Sequence, residues 1–327
     1  METTTANRTP LVTTGDLDGR VFSLSPDGSW LLFTRTTSKS EQINDLWVVS
    51  TNGEGSPVSL DVSNIILFAD WEPDRQRTIT YSTVEPRTTA PGWQANNDLW
   101  RLSFSESGSP NSPDLLLEPN AGGLYGWWGT TFKWSPDGQA LAYARPDSVG
   151  LVNLDAAQFQ PIFEFPPYRT GSDWAWVPGI AWSPIGKTLY SVTHEAGNGV
   201  SSDESNVFIL LAIVNNQNPI PLQPRTGMFA FPVAANDSIA YLSAFFPDQS
   251  QSSRYKLSIM DIDGSNNHVI FPPEGSPGLD PQVVAFEPAG TNRLAFHYQG
   301  NLFIISAQTG EHQQITGDGL ITNIDWK

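Results

Sequence analysis

Chemistry in this 327-residue chain would have to rest on carboxylates, four histidines and aromatic rings, because there is no cysteine. That absence excludes thiolate nucleophiles, Cys-x-x-Cys redox chemistry, cysteine-ligated zinc and disulfide stapling. There is no Gly-x-Ser-x-Gly elbow, no His-Glu-x-x-His and no Gly-x-x-x-x-Gly-Lys-Ser/Thr phosphate loop. Of the histidines, His268 and His312 fall on outer strands or away from the long loops described below, leaving His194 and His297 to look toward a common face. Two histidines without convergent carboxylates read as solvent or strand-end residues, so no metal is expected. The stretch Asp261-Ile262-Asp263-Gly264-Ser265-Asn266 misses calcium-loop spacing and lacks the downstream bidentate Glu, so it reads as a hairpin turn. Asp203-Glu204, near Glu195, reads as a solvated acidic loop, with weak binding of a hard cation as the alternative. Ser25-Pro26-Asp27-Gly28 sets its glycine one residue too early for a sialidase-type Ser-x-Asp-x-Gly box. Asp70, Asp173 and Glu195 are the carboxylates to check for glycoside-cleaving chemistry, which needs a pair about 5–10 Å apart. No catalytic residue is assigned and no cofactor is expected.

The aromatic residues are more suggestive. Trp93, Tyr125, Trp127, Trp128, Tyr168, Trp174, Trp176, Phe245 and Phe246 lie in the longest segments without strand character. Aromatic rings combine large apolar area with flat faces, and Trp and Tyr add a polar tip, so an exposed cluster suits a sugar ring or a peptide anchor. The alternative for each ring is that it packs its own loop onto the core. Trp47, Trp71, Trp100, Trp134 and Trp182 sit in strand-like repeat segments and read as packing residues.

A repeat supplies the elements that must position these rings. A hydrophobic or aromatic residue, then Pro, a turn and an apolar strand recur six times, at Phe22–Phe33, Trp71–Ser82, Phe132–Ala144, Ile180–Val192, a degenerate Met228–Leu242 and Val283–Phe296. Each is followed by a second strand, at Asn44–Gly55, Asn96–Phe104, Gly150–Asp155, Asn206–Val214, Tyr255–Asn266 and Gly300–Glu311. The marker prolines Pro26, Pro73, Pro136, Pro184, Pro232 and Pro288 are 47, 63, 48, 48 and 56 residues apart, near the roughly 40–50 residues of a four-stranded propeller blade. Strand-length alternating segments separated by turn residues, without helical periodicity, predict an all-β chain. Stacked sheets bury faces that one sheet cannot bury alone, so six copies predict a six-bladed β-propeller of four-stranded antiparallel blades, with seven as the alternative. Residues 1–10 read as a flexible N-terminal segment and 11–327 as one propeller domain, either a monomer or part of a longer chain. Leu11–Thr14 and Gln313–Thr316 both read as fourth strands, and Ile321–Trp326 as the first strand of a further copy, so the ends are expected to cooperate in closure.

These segments resemble the TolB-like family of β-propellers, with WD40-like (PD40-type) repeats. The match is carried by Ser25–Gly28 and Ser135–Gly138, with Asp45-Leu46-Trp47 and Asp98-Leu99-Trp100 in the following strands. The N-terminal α/β domain of TolB itself is absent, so its role in the envelope does not carry over. The resemblance also extends at repeat level to propellers that accompany prolyl-peptidase hydrolase domains, without the hydrolase half.

With strands A to D numbered outward, the long connections are the B–C loops 82–97, 193–205 and 244–254 and the D–A loops 118–131 and 166–179, all on one side. Long loops on a rigid scaffold are where binding develops. The chain holds 17 basic and 34 acidic residues, a net charge of -17, which argues against nucleic acid and anionic lipid. No apolar run is long enough to span a membrane. Met1 running almost directly into a mid-repeat strand, together with the family resemblance, leads us to expect that a leader has been removed and that the setting is bacterial and extracytoplasmic. The expected function is a non-catalytic binding propeller recognising a protein, peptide or glycan. The alternatives are a carbohydrate-active hydrolase or lyase and a structural module of a larger protein.

Overall fold

The computed structural model describes residues 7–13, 17–37, 40–53, 55–65, 68–88, 92–119, 129–168, 176–196, 199–215, 217–288, 290 and 292–327. The repeated turn explains why each segment reverses where it does. In Ser25-Pro26-Asp27-Gly28, the Gly28 N–H donates to the Ser25 carbonyl (2.8 Å), and Gly28 takes φ +70°. The Ser25 hydroxyl donates to Asp27 Oδ1 (2.6 Å) and accepts from the Trp30 N–H (2.9 Å), while Asp27 Oδ1 also accepts from the Ser29 N–H (3.0 Å). Ser135-Pro136-Asp137-Gly138 repeats this network through Gln139 and Ala140. At Ser183 the Gly186 N–H donates to the serine carbonyl (2.8 Å) and, with Ile185 in place of the aspartate, both the Lys187 and Thr188 N–H groups donate to the serine hydroxyl (3.2 and 3.1 Å). Gly138, Gly186 and Gly290 share a φ of +68° to +70°, a region costly for residues with a Cβ.

These hydrogen bonds, from Ser25 first, hold the Asp27 carboxyl down at about 2. Its folded value therefore lies below the ordinary 3.8, so the turn's contribution is complete above that value and is lost as pH falls toward about 2. Asp27→Asn is expected to be less stable than the parent at about pH 5 and to converge with it near pH 2. Urea melts across that range check this, and a gap independent of pH would contradict it.

Two copies solve the same turn with glutamate in place of serine. Glu72 is only 1% exposed and pairs with Arg101 (2.6 Å) and Arg75 (3.2 Å). Glu287 pairs with Arg293, its Oε2 accepting from Nε at 2.8 Å.

Six four-stranded antiparallel sheets result. The first comprises β1 (Leu17–Leu24), β2 (Trp30–Thr37), β3 (Ser40–Ser50) and β4 (Val58–Ile65). The second comprises β5 (Ala69–Trp71) and β6 (Thr78–Tyr81), then, beyond a separate hairpin of β7 (Val84–Pro86) and β8 (Trp93–Ala95), β9 (Leu99–Ser103) and β10 (Asp114–Leu117). The third holds β11 (Thr131–Trp134), β12 (Leu141–Arg145), β13 (Ser148–Asn153) and β14 (Gln158–Glu164). The fourth holds β15 (Ile180–Trp182), β16 (Leu189–His194), β17 (Phe208–Ile213) and β18 (Ile220–Pro224). The fifth holds β19 (Val233–Ala235), β20 (Ser238–Ala244), β21 (Tyr255–Asp261) and β22 (His268–Phe271). The sixth holds β23 (Ala285–Phe286), β24 (Arg293–Tyr298), β25 (Asn301–Ser306) and β26 (His312–Gln314). The chain is thus an all-β, six-bladed β-propeller.

Contacts group into two compact units, Met1–Leu141 with Val152–Gln160 and Lys327, and Ala142–Leu151 with Pro161–Trp326. In the first unit β1 lies beside β5, and the core between them gathers Leu32, Leu46, Leu60, Trp71, Ile79 and Leu102. Indole N–H groups tie neighbouring blades there: Trp71 donates to the Ser23 carbonyl (3.1 Å) and Trp134 to Thr80 Oγ1 (2.9 Å). In the second unit β19 lies beside both β15 and β23, over a core of Leu242, Tyr255, Leu257, Phe271, Leu294 and Phe296.

Two expectations need correction. Of the terminal segments, Gln313 and Gln314 do lie in a fourth strand, β26, whereas Leu11 and Val12 pack against Leu31, Phe33 and Val49 without forming one, and Ile321–Trp326 carries no strand. β4 and β26 fill the fourth positions of the first and last sheets. In the fifth copy Pro232 precedes β19, and the reversal falls instead at Asn236-Asp237, with Asn236 at φ +52°. The proline interval there matches blade length without marking the same turn.

Candidate functional site

The long connections of the second, fourth and fifth blades are built differently. In the second blade the 82–97 connection folds into the β7–β8 hairpin, with Val84 opposite Ala95 and Pro86 opposite Trp93. Buried Asp98 fastens it, accepting from the Thr83 N–H (2.7 Å), the Thr83 hydroxyl (2.5 Å) and the Trp100 indole (2.8 Å). This is the role of the Asp-Leu-Trp segment here. Burial pushes the Asp98 carboxyl up and, with the Asp98 charge nearby, the Tyr81 phenol up to about 12. Trp93 is half-buried against Val84 and Ala95.

In the fourth blade the register ending at His194↔Phe208 places those two rings beneath the preceding loop. Tyr168 and Trp176 close over them edge-to-face, Trp176 lying 5.0 Å and Tyr168 5.2 Å from the Phe208 ring centre. Trp176 is only 2% exposed, and its indole N–H donates to the Met228 carbonyl at 3.0 Å. It is a core ring and offers no ligand surface. His194, expected as a solvent or strand-end residue, is the last residue of β16 and is buried within the same cluster. Tyr168 is half-buried, its hydroxyl donating to Asn206 Oδ1, and burial pushes its phenol up. Tyr125, Trp127, Trp128, Trp174 and Asp173 lie outside the described residues.

The fifth blade turns its aromatic pair outward. Phe245 is 37% and Phe246 67% exposed. The connection is fixed at its neck, with the Phe245 N–H donating to the Arg254 carbonyl (2.9 Å) and the Phe246 N–H to Ser253 Oγ (3.0 Å). A 3-10 turn at Pro247–Gln249 shapes its tip. The Lys256 ammonium stands 4.6 Å from the Phe245 ring centre, and Arg225 pairs with Asp248 at 2.7 Å. Such a loop presents its rings without a large ordering cost on binding.

Beside Phe245 lies a cavity of about 240 Å³, walled chiefly by Arg254, Gly278, Asp280, His297, Tyr298 and Gln299. An isolated bridge assembles it: Tyr255 and Leu279 exchange both backbone hydrogen bonds, at 2.9 and 2.8 Å. This brings Arg254 against Asp280, and the two form an ion pair. Gln282 clamps the other wall, donating to the His297 carbonyl and accepting from its N–H, each at 2.8 Å. Burial pushes the His297 imidazole down, opposed by the Asp280 charge. The Tyr298 hydroxyl donates to the Pro277 carbonyl at 3.0 Å. Of these residues only His297 was singled out from sequence. Leu279, an apolar residue inside a Gly/Pro-rich loop, is the signal that the loop is tied down.

A larger, open groove of about 460 Å³ runs along β4, backed by Leu60, Tyr81, Trp100 and Leu102. Asp70 on β5 accepts from Ser23 Oγ (3.1 Å) and faces Lys133 Nζ (3.7 Å). Glu195 is exposed where β16 ends. Among the described residues no group of three or more His, Asp or Glu is placed to hold a metal ion. No helix among them is long and apolar enough to cross a membrane.

No protein-family model matches the chain, and no curated protein sequence matches it. Among solved structures it is similar to the tricorn protease, at 15% identity and a TM-score of 0.50 over 92% of this chain and 26% of that one. It is similar to the β-propeller domain of the Trilobed protease from Pyrococcus furiosus, at 13% identity and a TM-score of 0.57, covering 91% of this chain and 82% of that one. A third likeness is to the periplasmic gluconolactonase PpgL of Pseudomonas aeruginosa, at 14% identity and a TM-score of 0.50 over 90% and 83% of the two chains. The chain spans about a quarter of the length of the tricorn protease chain. At these identities the likeness is one of fold, and the fold is the β-propeller.

Proposed function

We propose that this protein is a binding propeller whose long-loop side recognises a protein, peptide or glycan, with Phe245 and Phe246 as its anchors. The observation carrying the reading is the outward-facing aromatic pair on a loop held at its neck, beside a polar cavity. Large apolar rings exposed next to polar groups are costly to leave in water and mark recognition surfaces. Propellers serve catalysis and binding alike, and Asp70, the one carboxylate of the three with described partners, sits between a lysine and a serine. The Ser-Pro-Asp-Gly and Asp-Leu-Trp repeats support a TolB-like assignment, and an extracytoplasmic setting belongs to the same proposal.

Glycan and peptide arrays probed with the full chain and with Phe245→Ala/Phe246→Ser test it. The wild-type protein is expected to be retained on a subset of spots, and the double variant at least about tenfold less, as for an interface anchor. Both side chains reach solvent, so the fold should persist, checked by an unchanged circular dichroism spectrum. No retention, or equal retention of both proteins, would contradict the reading.

A further inference from the structure

The cavity beside Phe245 carries chemistry that selects among ligand classes. Its charged groups, Arg254 and Asp280, form an ion pair with side chains 56% and 68% exposed. The two charges cancel, so an anion would have to displace Asp280 and a cation would have to displace Arg254. What the pair keeps in excess is hydrogen-bonding capacity: a fork of guanidinium donors beside carboxylate lone pairs, in a cavity that Gln299 and His297 also line. Donors and acceptors so interleaved match a ligand that presents both on adjacent atoms and bears no net charge.

The shape narrows the class further. Gly278 is bare where a Cβ would come within 2.6 Å of Arg254 Cβ and 2.7 Å of Phe245 Cε2. The Phe245 ring edge and the stem of Arg254 therefore pack directly on Gly278, which forms part of the cavity wall. At Gly300, with φ +72°, a Cβ would run into the backbone of Gly319. The volume of about 240 Å³ falls below the roughly 300–1,000 Å³ of sites for drug-sized ligands, which suits a single ring. An uncharged ring with vicinal hydroxyls and an apolar face is a sugar.

We infer that this cavity binds one neutral pyranose ring of a glycan, its hydroxyls hydrogen-bonded to Arg254 and Asp280 and its apolar face toward the wall that Tyr298 forms. The inference rests on the binding reading above and narrows it to glycans at this pocket.

Saturation-transfer NMR on the full chain tests it, with methyl glycosides of neutral hexoses, N-acetylhexosamines, deoxyhexoses and pentoses as probes, and acetate as the carboxylate control. Transfer to the ring protons of at least one glycoside is expected, with none to acetate. Asp280→Ala is expected to weaken that glycoside by about tenfold or more, the loss of charge-assisted hydrogen bonds. Arg254→Lys, which keeps the charge but not the fork, should weaken it as well. Silence from every glycoside, transfer to acetate that disappears in Arg254→Ala, or a glycoside signal indifferent to Asp280→Ala would each overturn the inference. If the glycosides fail while array retention still depends on Phe245 and Phe246, the pocket assignment falls and the binding reading stands. If retention is indifferent to those two rings, the binding reading itself falls.

Discussion

Replacing Glu72 with alanine is expected to cost about 3–5 kcal/mol of stability, the usual consequence of removing one partner of a buried ion pair. Glu72 is 1% exposed and Arg101 20% exposed, and Nε of Arg101 lies 2.6 Å from the carboxylate. Burial pushes the Glu72 carboxyl up, with the Arg101 hydrogen bond and charge opposing it. Without Glu72 the guanidinium has lost its counter-charge in a poorly solvated place, and the turn between β5 and β6 has lost its anchor. The size of the effect comes from the orphaned cation, so Glu72→Leu/Arg101→Met should recover most of the loss. Urea unfolding of the three proteins checks both statements. A single-variant loss below about 1 kcal/mol would place the pair among weak surface bridges.

The second large effect is expected at Trp176. Trp176→Ala should cost about 3–5 kcal/mol, as large-to-small changes at buried aromatic sites do. The ring sits edge-to-face on Phe208 at 5.0 Å and on His194 at 6.0 Å. Its loss opens a void and leaves the Met228 carbonyl without the indole donor it meets at 3.0 Å. Trp176→Phe keeps most of the packing and should lose only about 1 kcal/mol for the hydrogen bond, plus a modest packing cost. Ligand retention per mole of folded protein should be unchanged in both, because the ring does not reach solvent. Unfolding melts alongside array retention make the comparison, and a variant of full stability that had lost retention would contradict the packing role.

These two residues show where sequence reading succeeds and where it stops. The strand order was legible because turn chemistry is local: Ser25, Asp27 and Gly28 satisfy one another within six residues, and Ser135–Ala140 repeat the arrangement. The fifth copy was misaligned because its proline no longer occupies that turn. The direction of a loop aromatic is not local. Trp176 and Phe246 both stand in long connections, yet one is buried because His194 and Phe208 lie beneath it, and the other is exposed although its loop is held at its neck and again at Ser250, whose hydroxyl accepts from the Met228 N–H and whose carbonyl accepts from the Tyr255 hydroxyl. Arg254 and Asp280 are 26 positions apart and meet only through the Tyr255↔Leu279 bridge. A hydrophobicity pattern does not announce such a pairing, so the cavity emerged only from the fold.

Hydrogen–deuterium exchange of the full chain, with and without a glycan that it retains on the array, is the most direct measurement of the binding claim. Slowed exchange is expected to be confined to Phe245–Arg254, Pro277–Asp280 and His297–Gly300, the segments that carry the aromatic pair and the cavity walls. Slowed exchange elsewhere, along β4 and its groove or on the turns opposite the long loops, with these three segments unchanged, would contradict it.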